Sequence, residues 1–166
     1  MEPLEPEVRR LISGAASLVL ADGPDGADLV PTRLAAEGLL GGPERRSGDA
    51  GPRVVVGWLP GERAWTASLD SADALMGGYG VRAAIREGRA HYHPVRLGAV
   101  PRWLDRLPRP MVAVVRGREA EAGETAGGFV CGPSVGWAPA AAALADTVVV
   151  EVDTSLPALP APAIGG

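Results

Sequence analysis

Residues 15–40 read AASLVLADGPDGADLVPTRLAAEGLL, and they carry one full turn of the pattern that decides the architecture. The run 15–21 is apolar throughout with no polar alternation, as expected of a strand covered on both faces of a sheet. It stops at Asp22-Gly23-Pro24-Asp25-Gly26. Asp28 can then cap a helix that carries Leu29, Val30, Arg33, Leu34, Ala36 and Leu40, with Pro31 in the first turn, where a missing N–H costs little. Strand, glycine-rich turn, helix is the repeating unit of an α/β protein.

Upstream, Val8, Leu11 and Ile12 lie at helical spacing and predict a short helix over 7–13. Downstream, residues 41–52, GGPERRSGDAGP, have no periodicity and read as a solvated loop. A second buried-type strand follows over 53–58 (RVVVGW), with 65–69 as a candidate third and 71–76 as a short helix. Residues 78–101, GYGVRAAIREGRAHYHPVRLGAVP, hold a helix over 81–87 that stops at Gly88. A strand over 90–93 comes next and Pro94 ends it, leading to a helix over 100–107 with Pro101 in its first turn. Residues 111–115 (MVAVV) form a strand, 116–127 a polar loop, 128–135 (GFVCGPSV) an extended piece with a turn, 138–145 an alanine-rich helix and 147–152 (TVVVEV) the last strand. The fold class expected is α/β, an open and largely parallel sheet flanked by helices. It forms a single domain over 1–155, and the tail 156–166, LPALPAPAIGG, reads as a linker or an extended arm.

Composition agrees with one globular domain. The chain has 166 residues, 46% of them hydrophobic and 22% charged, and its 23 glycines and 16 prolines predict many turns. All 16 basic residues counted as Lys or Arg are arginine, which excludes a Schiff-base or P-loop lysine. A net charge of -4 argues against a nucleic-acid partner. No apolar run reaches the roughly 20 residues that span a bilayer, and MEPLEPEVRR lacks the basic start and apolar core of a signal peptide. With one cysteine, Cys131, the expected compartment is the reducing cytoplasm.

Several residues invite chemistry. The turn from Asp22 to Asp28 follows the first strand, where an open α/β sheet binds ligands. Its aspartates oppose an anion, however, and Gly23 and Gly26 do not have nucleotide-fingerprint spacing, so a plain turn is the simpler reading. His91 and His93 share a strand face and could chelate a metal, but they lack a third ligand, which favours a structural or surface role. Cys131 has no local base or cation and reads as a small buried residue. Glu119, Glu121 and Glu124 read as solvated. Glu151 and Asp153 lie at the carboxyl end of the last strand, where they either face a site or, for Asp153, cap the turn into Ser155.

Three blocks resemble the N-terminal half of the acetyl-CoA hydrolase/transferase family, the group containing 4-hydroxybutyrate CoA-transferases. The first contributes Arg82, Gly88, Arg89, Tyr92, Pro94, Leu97 and Pro101, the second is GFVCGPSV and the third is ALADTVVVEVDTSLP. The likeness runs from about Ile12 to the end. Three positions depart from the family pattern: Arg96 stands for a His, Asp153 for an Asn, and the loop 119–127 for a Pro-Asp stretch.

The resemblance implies transfer of CoA between carboxylic acids, with acyl-CoA and a carboxylate as substrates and no covalently held cofactor. A glutamate attacks the acyl-CoA, and that glutamate belongs to the family's second half, which would begin about where this chain ends. The resemblance therefore implies a possible C-terminal catalytic subunit, an oligomer as a further option, and no catalytic residue on this chain. The cleft candidates are Gly23, Gly26, Tyr92, Arg96, Gly128, Phe129, Gly132, Ser134 and Asp153. A non-catalytic acyl-CoA- or partner-binding module on the same fold is the alternative. A sugar-phosphate isomerase-like enzyme using Glu151 or Asp153 as base is a third reading.

Overall fold

The computed structural model describes residues 3–20, 23, 26–40, 51–122, 124, 128–133, 136–159 and 162–164. Helix α1 (Pro6–Ser13) leads into strand β1 (Ser17–Leu20), and helix α2 (Leu29–Ala36) into β2 (Arg53–Val56). Next come β3 (Ala72–Ala74), α3 (Arg82–Arg86), β4 (Ala90–Tyr92), α4 (Val100–Leu104) and β5 (Met111–Glu119). The chain continues through β6 (Phe129–Cys131), α5 (Ala138–Leu144), β7 (Thr147–Val152) and β8 (Ala163–Ile164). Six strands run parallel in the order β4-β3-β2-β1-β5-β7, flanked by helices, so the α/β fold class holds.

The strands β1, β2 and β5 are buried on both faces because each face has its own cover. Leu18, Leu20, Val54, Val56, Val112 and Val114 pack with Ile12, Val30, Leu34, Trp65, Leu69 and Ala84. On the other face Val19, Val55, Met111 and Ala113 pack with Val100, Leu104, Trp137 and Ala141. Each such buried Leu or Val contributes on the order of 2 kcal/mol of transfer free energy. An alternating polar position would forfeit that gain on one face, which is why these strands read as continuous apolar runs.

Four local expectations are corrected. Residues 72–74 are a strand rather than a helix. Ala72 and Ala74 point into one core while Asp73 points to the opposite face, where Arg53 and His93 bind it. Ala64–Ser68 is a 3-10 turn rather than a strand. Thr66 Oγ1 donates to the Arg63 carbonyl at 2.8 Å, a local bond that competes with a sheet ladder.

Strand β5 runs on to Glu119, past the predicted end at 115. It pairs β1 over Met111 to Val114 and β6 over Gly117 to Glu119, with β7 beside it over Val112 to Gly117. β7 therefore lies on one edge, while β1 and then β6 share the other. Arg116 and Arg118 are compatible with this overhang because carboxylates neutralise both. Fourth, Glu124 is not merely solvated: both its oxygens accept from Arg118, at 2.6 and 2.7 Å. Arg118 is itself only 6% exposed and also donates to the Pro157 and Leu159 carbonyls.

The proline-rich tail comes back onto the sheet. Ala163 and Ile164 pair antiparallel with Val130 and Phe129, and Ile164 is buried with Val115 and Cys131. The expected loop over 41–52 lies mostly outside the described residues.

Candidate functional site

In a parallel sheet the loops at the carboxyl ends of the strands form the ligand-facing rim. The strand order reverses between β1 and β5, and the crevice expected there is already engaged from within. Glu151, on β7, sends its carboxylate to the start of α2, where it accepts the N–H groups of Asp28 at 3.1 Å and Val30 at 2.9 Å. These are the orphan donors of a helix terminus, and a negative charge there also meets the positive end of the helix dipole. Asp28, the residue predicted to cap this helix, makes no side-chain cap. It accepts instead from Trp65 Nε1 at 2.9 Å.

Asp153 is also engaged. One oxygen accepts from the N–H and hydroxyl of Ser155, at 2.8 and 2.7 Å, and the other from Arg116. The Ser155 bonds, joined by Arg116, hold its carboxyl down to about 2. Of the two readings the sequence leaves open, the turn cap is the one seen. Both carboxylates required as base by the isomerase reading are thus tied into the frame.

The rim is open farther along, beyond β3. Leu75 to Val81 includes the run Gly77-Gly78-Tyr79-Gly80, which bends sharply between β3 and α3. A Cβ on Gly80 would stand 2.0 Å from the Gly61 carbonyl oxygen, so only glycine lets this loop press against the segment following β2. Gly80 also donates to the Leu59 carbonyl at 3.2 Å. Tyr79 takes a left-handed backbone, φ +46°, and its side chain stands out 67% exposed, meeting the Trp58 ring edge-on at 5.9 Å. Beside it lies an open cleft of about 530 Å³, lined by Tyr79, Arg82, Arg86 and Glu62 among others.

Seven of the nine predicted candidates fall into two groups. Gly23, with φ +97°, donates to the Trp58 carbonyl at 2.7 Å, and Gly26 donates to Gly23, so the β1 turn abuts the residue that supports Tyr79. Tyr92 lies against Gly77, where an added Cβ would be 2.8 Å from its ring, so it too stands near this cleft. Arg96 is exposed after β4 and does not line it. Gly128, Phe129, Gly132 and Asp153 cluster instead around β6 and the end of β7. Ser134 lies outside the described residues. Tyr79, Arg82, Arg86 and Glu62 were missed as a set, although the spacing of the two arginines was a usable signal.

His93 does not act as a chelator's arm. Its Nε2 meets Asp73 Oδ1 at 2.5 Å, and Arg53 Nε meets the other carboxylate oxygen at 2.5 Å. Trp103 of α4 covers the group, with Arg53 5.4 Å and His93 5.2 Å from its ring centroid. Asp73 is 7% exposed, and that burial raises its carboxyl, but the Arg53 and His93 hydrogen bonds together outweigh it and hold it below the usual range. Among the described residues no three His, Cys, Asp or Glu side chains gather as a metal site. Cys131 is buried, which pushes its thiol up, the opposite of a reactive thiolate. Among the described residues no helix is long and apolar enough to cross a membrane.

The family model for the acetyl-CoA hydrolase/transferase N-terminal domain matches residues 71–161. The chain belongs to this family. The matched region begins at the foot of β3 and takes in the Tyr79 loop, α3, the β5 overhang and β7, so it contains most of the cleft and all three sequence blocks. No curated protein matches the chain.

Proposed function

We propose that this acetyl-CoA hydrolase/transferase N-terminal domain is the acyl-CoA-binding half of a CoA-transferase or acyl-CoA hydrolase, completed by a second half that brings the nucleophilic glutamate. The observation that carries the reading is the employment of the acids at the strand ends. Glu151 caps α2, Asp153 closes its own turn, and Asp73 is divided between Arg53 and His93. A nucleophilic carboxylate must be free to attack, and these three are not.

On this reading a glutamate oxygen of the second half attacks the thioester carbonyl. An acyl-glutamyl anhydride forms and the CoA thiolate leaves. The thiolate then attacks the glutamyl carbonyl, giving glutamyl-CoA and releasing the first carboxylic acid. A second carboxylate repeats the sequence in reverse for a transferase, and water ends it for a hydrolase.

The purified chain is expected to leave acyl-CoA unchanged in the presence of acetate, and to gain exchange or hydrolysis when combined with a second half encoded beside it. Borohydride reduction of the glutamyl-CoA thioester followed by peptide mapping should mark the partner polypeptide. Turnover by this chain alone would overturn the reading. Tight CoA binding with no activating partner would support the alternative, a non-catalytic acyl-CoA-binding module.

A further inference from the structure

We infer that the cleft beside Tyr79 is a subsite for a phosphorylated nucleotide, with Arg82 and Arg86 holding the phosphate and Tyr79 the base. The two arginines are four residues apart on α3 and so share one face. Both are exposed, and neither has a hydrogen bond or ion pair with any described residue. Arg53, Arg89, Arg116 and Arg118, by contrast, are each bound to a carboxylate. In a chain of net charge -4, two guanidiniums with no partner among the described residues, facing one cleft, form a local positive field. Planar, multi-donor guanidinium suits a phosphate's oxygens.

An independent observation concerns Tyr79. A non-glycine residue at positive φ costs on the order of 1 kcal/mol. Here the strain keeps an aromatic ring in solvent, where it gains little from the core. Gly80 and Gly77 have no room for a side chain against Gly61 and Tyr92, so the loop is pinned in the shape that presents the ring. An exposed, rigid aromatic beside paired cations is the arrangement that stacks a base while a phosphate is gripped alongside. Glu62, on the cleft wall, can accept from the amino group of a base or from a ribose hydroxyl, groups that a nucleotide carries and inorganic phosphate lacks. A volume near 530 Å³ accommodates one such group.

The chemistry is shared by two sources, a free nucleotide and the nucleotide end of CoA. Assignment to CoA rests on the function proposed above, whereas nucleotide binding by the chain alone does not. The test is calorimetric titration of the purified chain with adenosine 3′,5′-bisphosphate, AMP, CoA, pantetheine and inorganic phosphate. The bisphosphate is expected to bind, pantetheine and phosphate at least 30-fold more weakly. CoA binding as well as the bisphosphate assigns the site to the CoA end. AMP binding equally while CoA is rejected assigns it to free nucleotides and removes the CoA assignment alone.

Arg82→Gln/Arg86→Gln should lower affinity about 100-fold and Tyr79→Leu about 10-fold, while Arg106→Gln, an exposed arginine outside the cleft, should not change it. Melting curves verify that the variants are folded, and Arg86→Lys serves as the mild substitute if the double variant is not. Absence of nucleotide binding at millimolar concentration, or undiminished affinity in folded arginine variants, would overturn the inference even if transferase activity with a second half is found.

Discussion

Glu151 and Val30 are 121 positions apart in the chain and 2.9 Å apart in space, the carboxylate of the last parallel strand accepting the backbone N–H at the start of α2. The contact ties β7 to α2. It also fills with an internal charge the place where an open α/β sheet would receive an anion.

Glu151→Ala should cost about 1 kcal/mol of folding stability, the usual value of a lost N-terminal cap. Glu151→Gln, which keeps an acceptor without the charge, should cost less than half of that. Urea unfolding of the three proteins provides the measurement, and equal loss in both variants would mean that charge rather than hydrogen bonding dominates.

Acid should weaken the fold in a defined window. The Ser155 bonds and Arg116 hold Asp153 at about 2, while Arg118 and the Glu121 N–H hold Glu124 at about 2. Unfolded carboxyls titrate near ~4. Depressed folded values mean that this stabilisation is complete above about pH 5 and is lost as the pH falls from about 4 toward 2. In the variant Asp153→Asn/Glu124→Gln the melting temperature should be lower at neutral pH and change less between pH 4 and 2. An unchanged slope there would refute the assignment.

Glycine substitutions should separate crowded from merely left-handed positions. Gly80→Ala places a Cβ 2.0 Å from a carbonyl oxygen and should cost about 2 kcal/mol while displacing Tyr79, visible as altered tryptophan emission from Trp58. Gly88, at φ +74° with nothing within 4 Å, ends α3 in a conformation that asparagine tolerates. Gly88→Asn should therefore cost under about 1 kcal/mol.

Gly117 lies where β5 carries β6, and a Cβ there would meet Ile164 Cδ1 and the Val130 carbonyl oxygen, each at 2.6 Å. Gly117→Ala should loosen β8, and limited proteolysis should then cut the tail many times faster than in the parent. Equal cleavage rates would mean that the pairing of β6 with β8 does not protect the tail.

The parallel core was legible because burial on both faces leaves a plain mark, the apolar runs that became β1, β2 and β5; β7 reads alike although only Val149 of it is buried. Strand β3 was not, since its residues are Ala72, Asp73 and Ala74 and its one polar side chain is satisfied by Arg53 and His93, residues remote in sequence. The β5 overhang was hidden for the same reason: Arg116 and Arg118 read as loop until their carboxylate partners are brought beside them. Residue types drew attention to Glu151 and Asp153, but types do not reveal that a charge is already employed. The open cleft depends on Tyr79 and on two ordinary helix arginines, whose lack of partners among the described residues is a fact of three dimensions.

The order of the sheet bears on how the chain acquires it. β1 stands at the centre, and its neighbour on one side is β5, so Ser17 waits for Met111. Closing so long a loop costs entropy before any contact rewards it. During synthesis, β1 to β4 can assemble with their helices while one edge of β1 remains unpaired and apolar. That interval, rather than the finished fold, is the stage at which this protein is most exposed to aggregation, and a chaperone that shields Leu18 to Leu20 would act there.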